Sequence, residues 1–141
     1  MNTLQTESLE PIAPTDQVEI KVLVVDDSAA SRAQIRDALA KSGLAVVEAG
    51  EGREALWRAQ AEEFQCVVTD LHMPTMDGFA LTRELRQLPG FARVPILVVT
   101  SDCSRERIDR AREVGATAWL FKPLRLDLIA ETVRRAVNNL G

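Results

Sequence analysis

Apolar residues in this chain come in short runs that stop at polar ones, and each run is followed by a stretch in which apolar positions recur every three or four residues. Residues 20–25 are apolar apart from Lys21 and stop at Asp26-Asp27-Ser28. Ile35, Ala38 and Leu39 then repeat at helical spacing up to Lys41-Ser42-Gly43. A weaker strand over 44–48 leads through Gly50 and Gly52 to the Ala55, Leu56, Ala59 stripe of a second helix. Residues 64–69 form a third strand with Asp70 on the lip of the following loop, because Pro74 cannot continue a ladder and Asp77-Gly78 reads as a turn and helix start. Leu81, Leu85 and Leu88 lie at i, i+4 and i+7 and predict a helix over 78–88, broken by Pro89-Gly90. Residues 95–99 are the strongest β run and end in Thr100-Ser101-Asp102; a helix over 105–114 follows, closed by Gly115. A fifth strand over 117–121 ends in Lys122-Pro123, and Leu128, Ile129, Thr132, Val133, Ala136 and Val137 line one face of a last helix.

Five strands alternating with five helical patterns predict an α/β fold, a doubly wound parallel sheet with helices on both faces and right-handed crossovers. Parallel strands bring their C-terminal ends to one edge, where open α/β sheets place their chemistry. That edge would carry Asp26 and Asp27, Asp70, Thr100 and Lys122. Residues 1–19, with Pro11, Pro14, several acids and scattered aliphatics, are expected to form a flexible leader ahead of one domain over 20–141.

The 141 residues suffice for one domain with a sizeable core, and 46% hydrophobic against 27% charged content fits a globular protein. With 17 basic and 21 acidic residues the net charge is -4, which disfavours nucleic acid as a partner. Cys66 and Cys103 lack metal-ligand spacing, and no signal peptide or membrane-length apolar stretch is present, so a reduced, cytoplasmic location is expected.

Three carboxylates held together repel and need neutralising. An oxygen-only cluster without paired His or Cys suits a hard cation, and Mg²⁺ is the natural choice. A carboxylate beside such an ion stays ionised and can attack phosphorus, with Lys122 as a point charge for one phosphoryl oxygen and the Thr100 hydroxyl donating to another. Blander roles compete: Asp27 or Ser28 as a helix cap, Lys122 as a solvated strand end, Trp119 as plain core, Trp57 as packing or surface. Arg105, Arg107, Arg110 and Arg112 read as a solvated face balanced by Glu106, Asp109 and Glu113, with a contact surface for an acidic partner as the alternative.

The ordered set Asp26-Asp27, Asp70 with Met73-Pro74 and Asp77-Gly78, Thr100-Ser101 and Lys122-Pro123 resembles the response-regulator receiver domain over about residues 20–140. Residues 115–123 and the connection 88–95 look most like its single-domain, chemotaxis-type members. The resemblance implies a flavodoxin-like sheet of order 2-1-3-4-5. It also implies phosphorylation of Asp70 by a histidine kinase and Mg²⁺ bound by Asp27, Asp70 and the His72 backbone carbonyl, with Asp26 acting mainly through a bound water. Lys122-Pro123 would be a cis peptide. Thr100 and Trp119 would form the switch, Trp119 standing where members commonly carry Tyr or Phe, a ring thought to turn inward as the Thr100 equivalent is drawn to the phosphate. The output surface would be the face of the fourth helix, fifth strand and fifth helix, on a monomer with no nucleic-acid or membrane partner. If the chain is complete, with no output domain after the last helix, output would go to another protein, such as a flagellar motor switch component or a relay phosphotransfer protein. Alternatives are a relay receiver, a degenerate receiver that signals by binding alone, and a Mg²⁺-dependent phosphatase with an aspartyl-phosphate intermediate. Against the phosphatase, Asp26 and Asp27 are adjacent where such enzymes resembling the haloacid dehalogenase group space the two acids two apart. An FMN binder would want a hydroxyl-rich loop in place of the acidic pair.

Overall fold

In a computed structural model of the chain, which describes residues 19–140, the predicted alternation folds into one parallel sheet. All but Glu19 of the expected leader lies outside the described residues. The elements are β1 (Lys21–Val25), α1 (Ala29–Lys41), β2 (Ala45–Ala49), α2 (Gly52–Ala61), β3 (Cys66–Asp70), α3 (Gly78–Arg86), β4 (Ile96–Thr100), α4 (Arg105–Val114), β5 (Ala118–Phe121) and α5 (Ile129–Leu140). The strand order is β2-β1-β3-β4-β5, every pairing parallel, the 2-1-3-4-5 arrangement that the family resemblance implies.

Strand β1 (KVLVV), β3 (CVVTD) and β4 (ILVVT) sit inside the sheet and are buried on both faces, which is why they read as continuous apolar runs. Successive side chains feed two separate cores. Leu23, Val25, Val67, Ile96 and Val98 pack with Ala55, Phe79, Leu81, Leu85 and Ala111 from α2, α3 and α4. Val22, Val24, Cys66, Val68, Leu97 and Val99 pack with Ile35 and Leu39 of α1 and Ile129 and Val133 of α5.

Local chemistry sets the helix ends. Ser28, Asp77 and Ser104 each accept a backbone N–H from the first turn of α1, α3 and α4. Gly115 closes α4 at φ 103°, a left-handed conformation that disfavours any other residue.

Three expectations need correcting. Asp70 is the last residue of β3, paired in register with Val99, because a ladder to β4 can run one residue past the apolar stretch. Helix α3 stops at Arg86, two residues short of Leu88, whose side chain packs on the core from the following turn. Leu128 precedes α5 and is 42% exposed, so it is not part of the inward stripe. Trp57 is surface, 65% exposed with the Arg58 guanidinium 5.8 Å from its ring.

Candidate functional site

The sheet changes winding direction between β1 and β3, and the crevice at their C-terminal ends is where this topology leaves room for a ligand. Asp26 and Asp27 follow β1 and Asp70 ends β3, so the crossover brings three carboxylates from two strands to that crevice. One oxygen from each lies within 4.8 Å of the others. Asp26 is 2% exposed, Asp70 8%, and Asp27 faces solvent.

Each carboxylate is only partly committed. Asp26 Oδ1 accepts the Ser28 backbone N–H at 2.9 Å. Ser28, not Asp27, caps α1, which leaves Asp27 free of that role. Asp70 Oδ1 accepts the Leu71 N–H at 3.0 Å and lies 3.2 Å from Lys122 Nζ, while Oδ2 takes no hydrogen bond among the described residues. Burial, seconded by the neighbouring Asp26 charge, pushes the Asp70 carboxyl above the usual carboxylate range, while Lys122 and the Leu71 N–H pull the other way. Lys122, paired with Asp70, is the one cation in ion-pair contact with any of the three acids among the described residues. An oxygen-only donor set short of positive charge fits a hard divalent ion such as Mg²⁺.

The other strand ends close the crevice. Thr100, 1% exposed, ends β4, and its Oγ1 accepts the Asp102 N–H at 3.0 Å. Lys122 follows β5, and its bond to Pro123 is cis. His72 is exposed two residues beyond Asp70. Trp119 lies deeper, packed against the α2–α4 core and stacked on Phe79 at 6.2 Å, with its indole N–H buried and without an acceptor among the described residues.

Two supports escaped the reading of the residues. A Cβ on Gly78 would come within 2.7 Å of the Asp70 carbonyl and 3.0 Å of Leu71 Cα, so only glycine lets α3 start against the end of β3. Asp77-Gly78 signals a turn, but this close approach is invisible without the fold. Arg32 of α1 donates to the Asp26 carbonyl at 2.7 Å and to Glu48 of β2 at 2.9 Å, pinning the backbone beneath the acidic pair. The α4 arginines also differ from a simple solvated face: Arg110 lies 4.7 Å from the Phe79 ring centroid and Arg107 pairs with Asp102.

The chain as a whole is similar to known proteins. A model of the response regulator receiver domain matches residues 22–134. The gliding motility regulatory protein of Myxococcus xanthus is 38% identical over 118 residues, 82% of this chain and 15% of that protein. The sensor histidine kinase RcsC of Escherichia coli (strain K12) is 35% identical over 121 residues, 86% of this chain and 12% of that protein. The chain thus spans only a small part of these curated relatives. Among solved structures, chemotaxis protein CheY4 of Vibrio cholerae superimposes with a TM-score of 0.81 at 36% identity, covering 84% of this chain and 99% of that one. No helix among the described residues is long and apolar enough to cross a membrane. With a parallel sheet of order 2-1-3-4-5, carboxylates from two strands at its switch point and a family match over most of its length, this chain belongs to the response regulator receiver domain family of two-component systems.

Proposed function

We propose that Asp70 accepts a phosphoryl group from the phosphohistidine of a histidine kinase and that the phosphorylated chain, residues 20–141, binds a partner protein. The observation that carries this reading is the half-committed Asp70 carboxylate, its Oδ1 held by Lys122 and the Leu71 N–H and its Oδ2 without a partner among the described residues, beside Asp26 and Asp27. In the transfer an Asp70 oxygen attacks phosphorus and an O–P bond forms. The P–N bond of the donor breaks, and its electron pair returns to the imidazole nitrogen. Lys122 is already beside Asp70 and meets a phosphoryl oxygen with a point charge, and the Thr100 hydroxyl donates to another. Asp27, Asp70 and the His72 carbonyl would hold Mg²⁺, with Asp26 acting through water, and the ion when bound supplies neutralisation of the acidic cluster and of the incoming oxygens. The chain's catalysis is confined to its own phosphorylation and dephosphorylation, which makes it a signalling module.

A protein donor is supported by an apolar groove of about 480 Å³ beside Lys122, lined by Gln34 and Ile35 of α1 and by Pro123, Leu124 and Leu126. The output side would be the face of α4, β5 and α5, and Phe121, 47% exposed at the end of β5, is an apolar residue available to a partner there. A relay role draws on the sensor kinase among the relatives.

Intact mass after incubation with acetyl phosphate tests the reading. One phosphoryl adduct is expected, dependent on Mg²⁺ and absent from Asp70→Asn. An adduct that persists in the variant overturns the site, and a folded parent chain that takes no adduct leaves binding alone as its function.

A further inference from the structure

Of the four arginines of α4, Arg107 has no acidic neighbour three or four residues away; those positions hold Cys103, Ser104, Arg110 and Ala111. Arg105 can reach Asp109, Arg110 can reach Glu106 or Glu113, and Arg112 pairs with Asp109 at 3.5 Å. Arg107 instead turns back across the N-terminus of its helix, where its Nε lies 2.9 Å from Asp102 Oδ2.

Asp102 is held at three points. Its Oδ2 meets Arg107, its Oδ1 accepts the Ser104 N–H at 3.0 Å, and its own N–H is donated to Thr100 Oγ1 at 3.0 Å. Ser104 is the N-cap of α4, so both carboxylate oxygens are anchored to that helix. The third contact occupies a lone pair of the Thr100 oxygen. A hydroxyl that accepts there has its one proton left to donate elsewhere, and its rotamer is fixed by the group that donates to it. Helix α4 therefore reaches the buried Thr100 hydroxyl through one residue of the intervening loop. Arg107 and Asp102 side chains are 43% and 32% exposed, and a pair so open to water adds little to stability.

We propose that Arg107 is a positioning residue which, acting through Asp102, fixes the Thr100 hydroxyl in the orientation used for phosphoryl uptake. The proposal rests on the phosphoryl-acceptor reading of Asp70.

The first measurement is the three-bond coupling that reports the Thr100 χ1 rotamer in the parent chain and in Arg107→Ala. A single rotamer should give way to an average in the variant; an unchanged coupling in a folded variant overturns the proposal. This arm needs no phosphorylation, so it judges the positioning separately from the acceptor reading, which falls if the parent takes no adduct. The second measurement is the rate of uptake from acetyl phosphate in the parent, Arg107→Ala, Arg107→Lys, Thr100→Ala and the double variant Arg107→Ala/Thr100→Ala. Arg107→Ala should be slowed about five-fold, the size of a typical coupling between contacting residues. Arg107→Lys, which keeps the charge, should recover part of the rate. In the Thr100→Ala background the Arg107 substitution should have no effect; the same slowing there would mean that Arg107 acts elsewhere and would overturn the proposal.

Discussion

Two polar clusters, one at each end of the sheet, are built on opposite terms. At the C-terminal edge one of three clustered acids, Asp70, has a lysine partner, and its Oδ2 has no partner among the described residues. Toward the other end, Arg86 at the C-terminus of α3 is half-buried without a carboxylate partner among the described residues, yet its donors are satisfied. Its Nε and Nη2 donate to the Gly115 carbonyl at 3.0 and 2.8 Å, and its Nη1 donates to the carbonyls of Phe91 and Val94 at 2.7 Å. Burial lowers the Arg86 pKa, and those carbonyl dipoles take the place of a counter-ion. A saturated cluster ties loops together. One left short of partners is where a ligand can bind, because every unmet bond there is available to it.

The sharpest way to break this contrast is to remove one charge from each end. Arg86→Ala should destabilise the chain by about 3 kcal/mol in urea unfolding, since three half-buried carbonyls lose their donors together. Phosphoryl uptake per folded molecule should not change, and a specific loss of uptake would mean that the two ends are not independent. Adding Mg²⁺ at ten times its Kd should stabilise the parent by about 1.4 kcal/mol, reversibly with chelator. The stabilisation should disappear in Asp27→Asn, and a thermal scan that shows no shift in the parent would remove the metal from the acidic end.

Asp70→Asn should have the opposite sign to Arg86→Ala and raise the metal-free melting temperature by roughly 4 °C, what about 1 kcal/mol yields in a domain of this size. The sign follows from the raised carboxyl pKa: the folded state disfavours the charged form, so ionisation of Asp70 weakens the fold above that pKa and Asn removes the penalty. The advantage should shrink as pH falls through the Asp70 range, and an Asn variant less stable than the parent at pH 7 would contradict it. Glu48→Gln should give the smallest change. Hydrogen bonds from Arg32 and Arg36 hold Glu48 below its ordinary value of 4.5, so its contribution is present above that value and lost as pH falls through the lowered one. The variant should cost about 0.5 kcal/mol at neutral pH, and the difference should vanish in acid.

Much of the sheet was legible because its signal is local. The apolar runs of β1, β3 and β4 and the 3.6-residue stripes of α2 and α3 need no partner to be recognised. Element ends were less so. Asp70 extends β3 because β4 offers it a ladder partner, and Leu128 stays outside α5 although its spacing fits the stripe. Candidate site residues were legible for a related reason: a polar residue that stops an apolar run marks a strand end, and parallel strands align such ends on one edge.

What the sequence determined by itself was the α/β class, the five strand-helix units and the edge on which Asp26, Asp27, Asp70, Thr100 and Lys122 stand. Only the tertiary structure decided that Arg86 would meet Gly115, 29 residues away, that a glycine was needed where α3 abuts Asp70, and that Trp119 would pack inward with no acceptor for its N–H among the described residues. Periodicity records which face of an element is buried. Which polar groups then meet depends on crossovers that bring distant segments within about 3 Å of each other, a distance that no local pattern encodes.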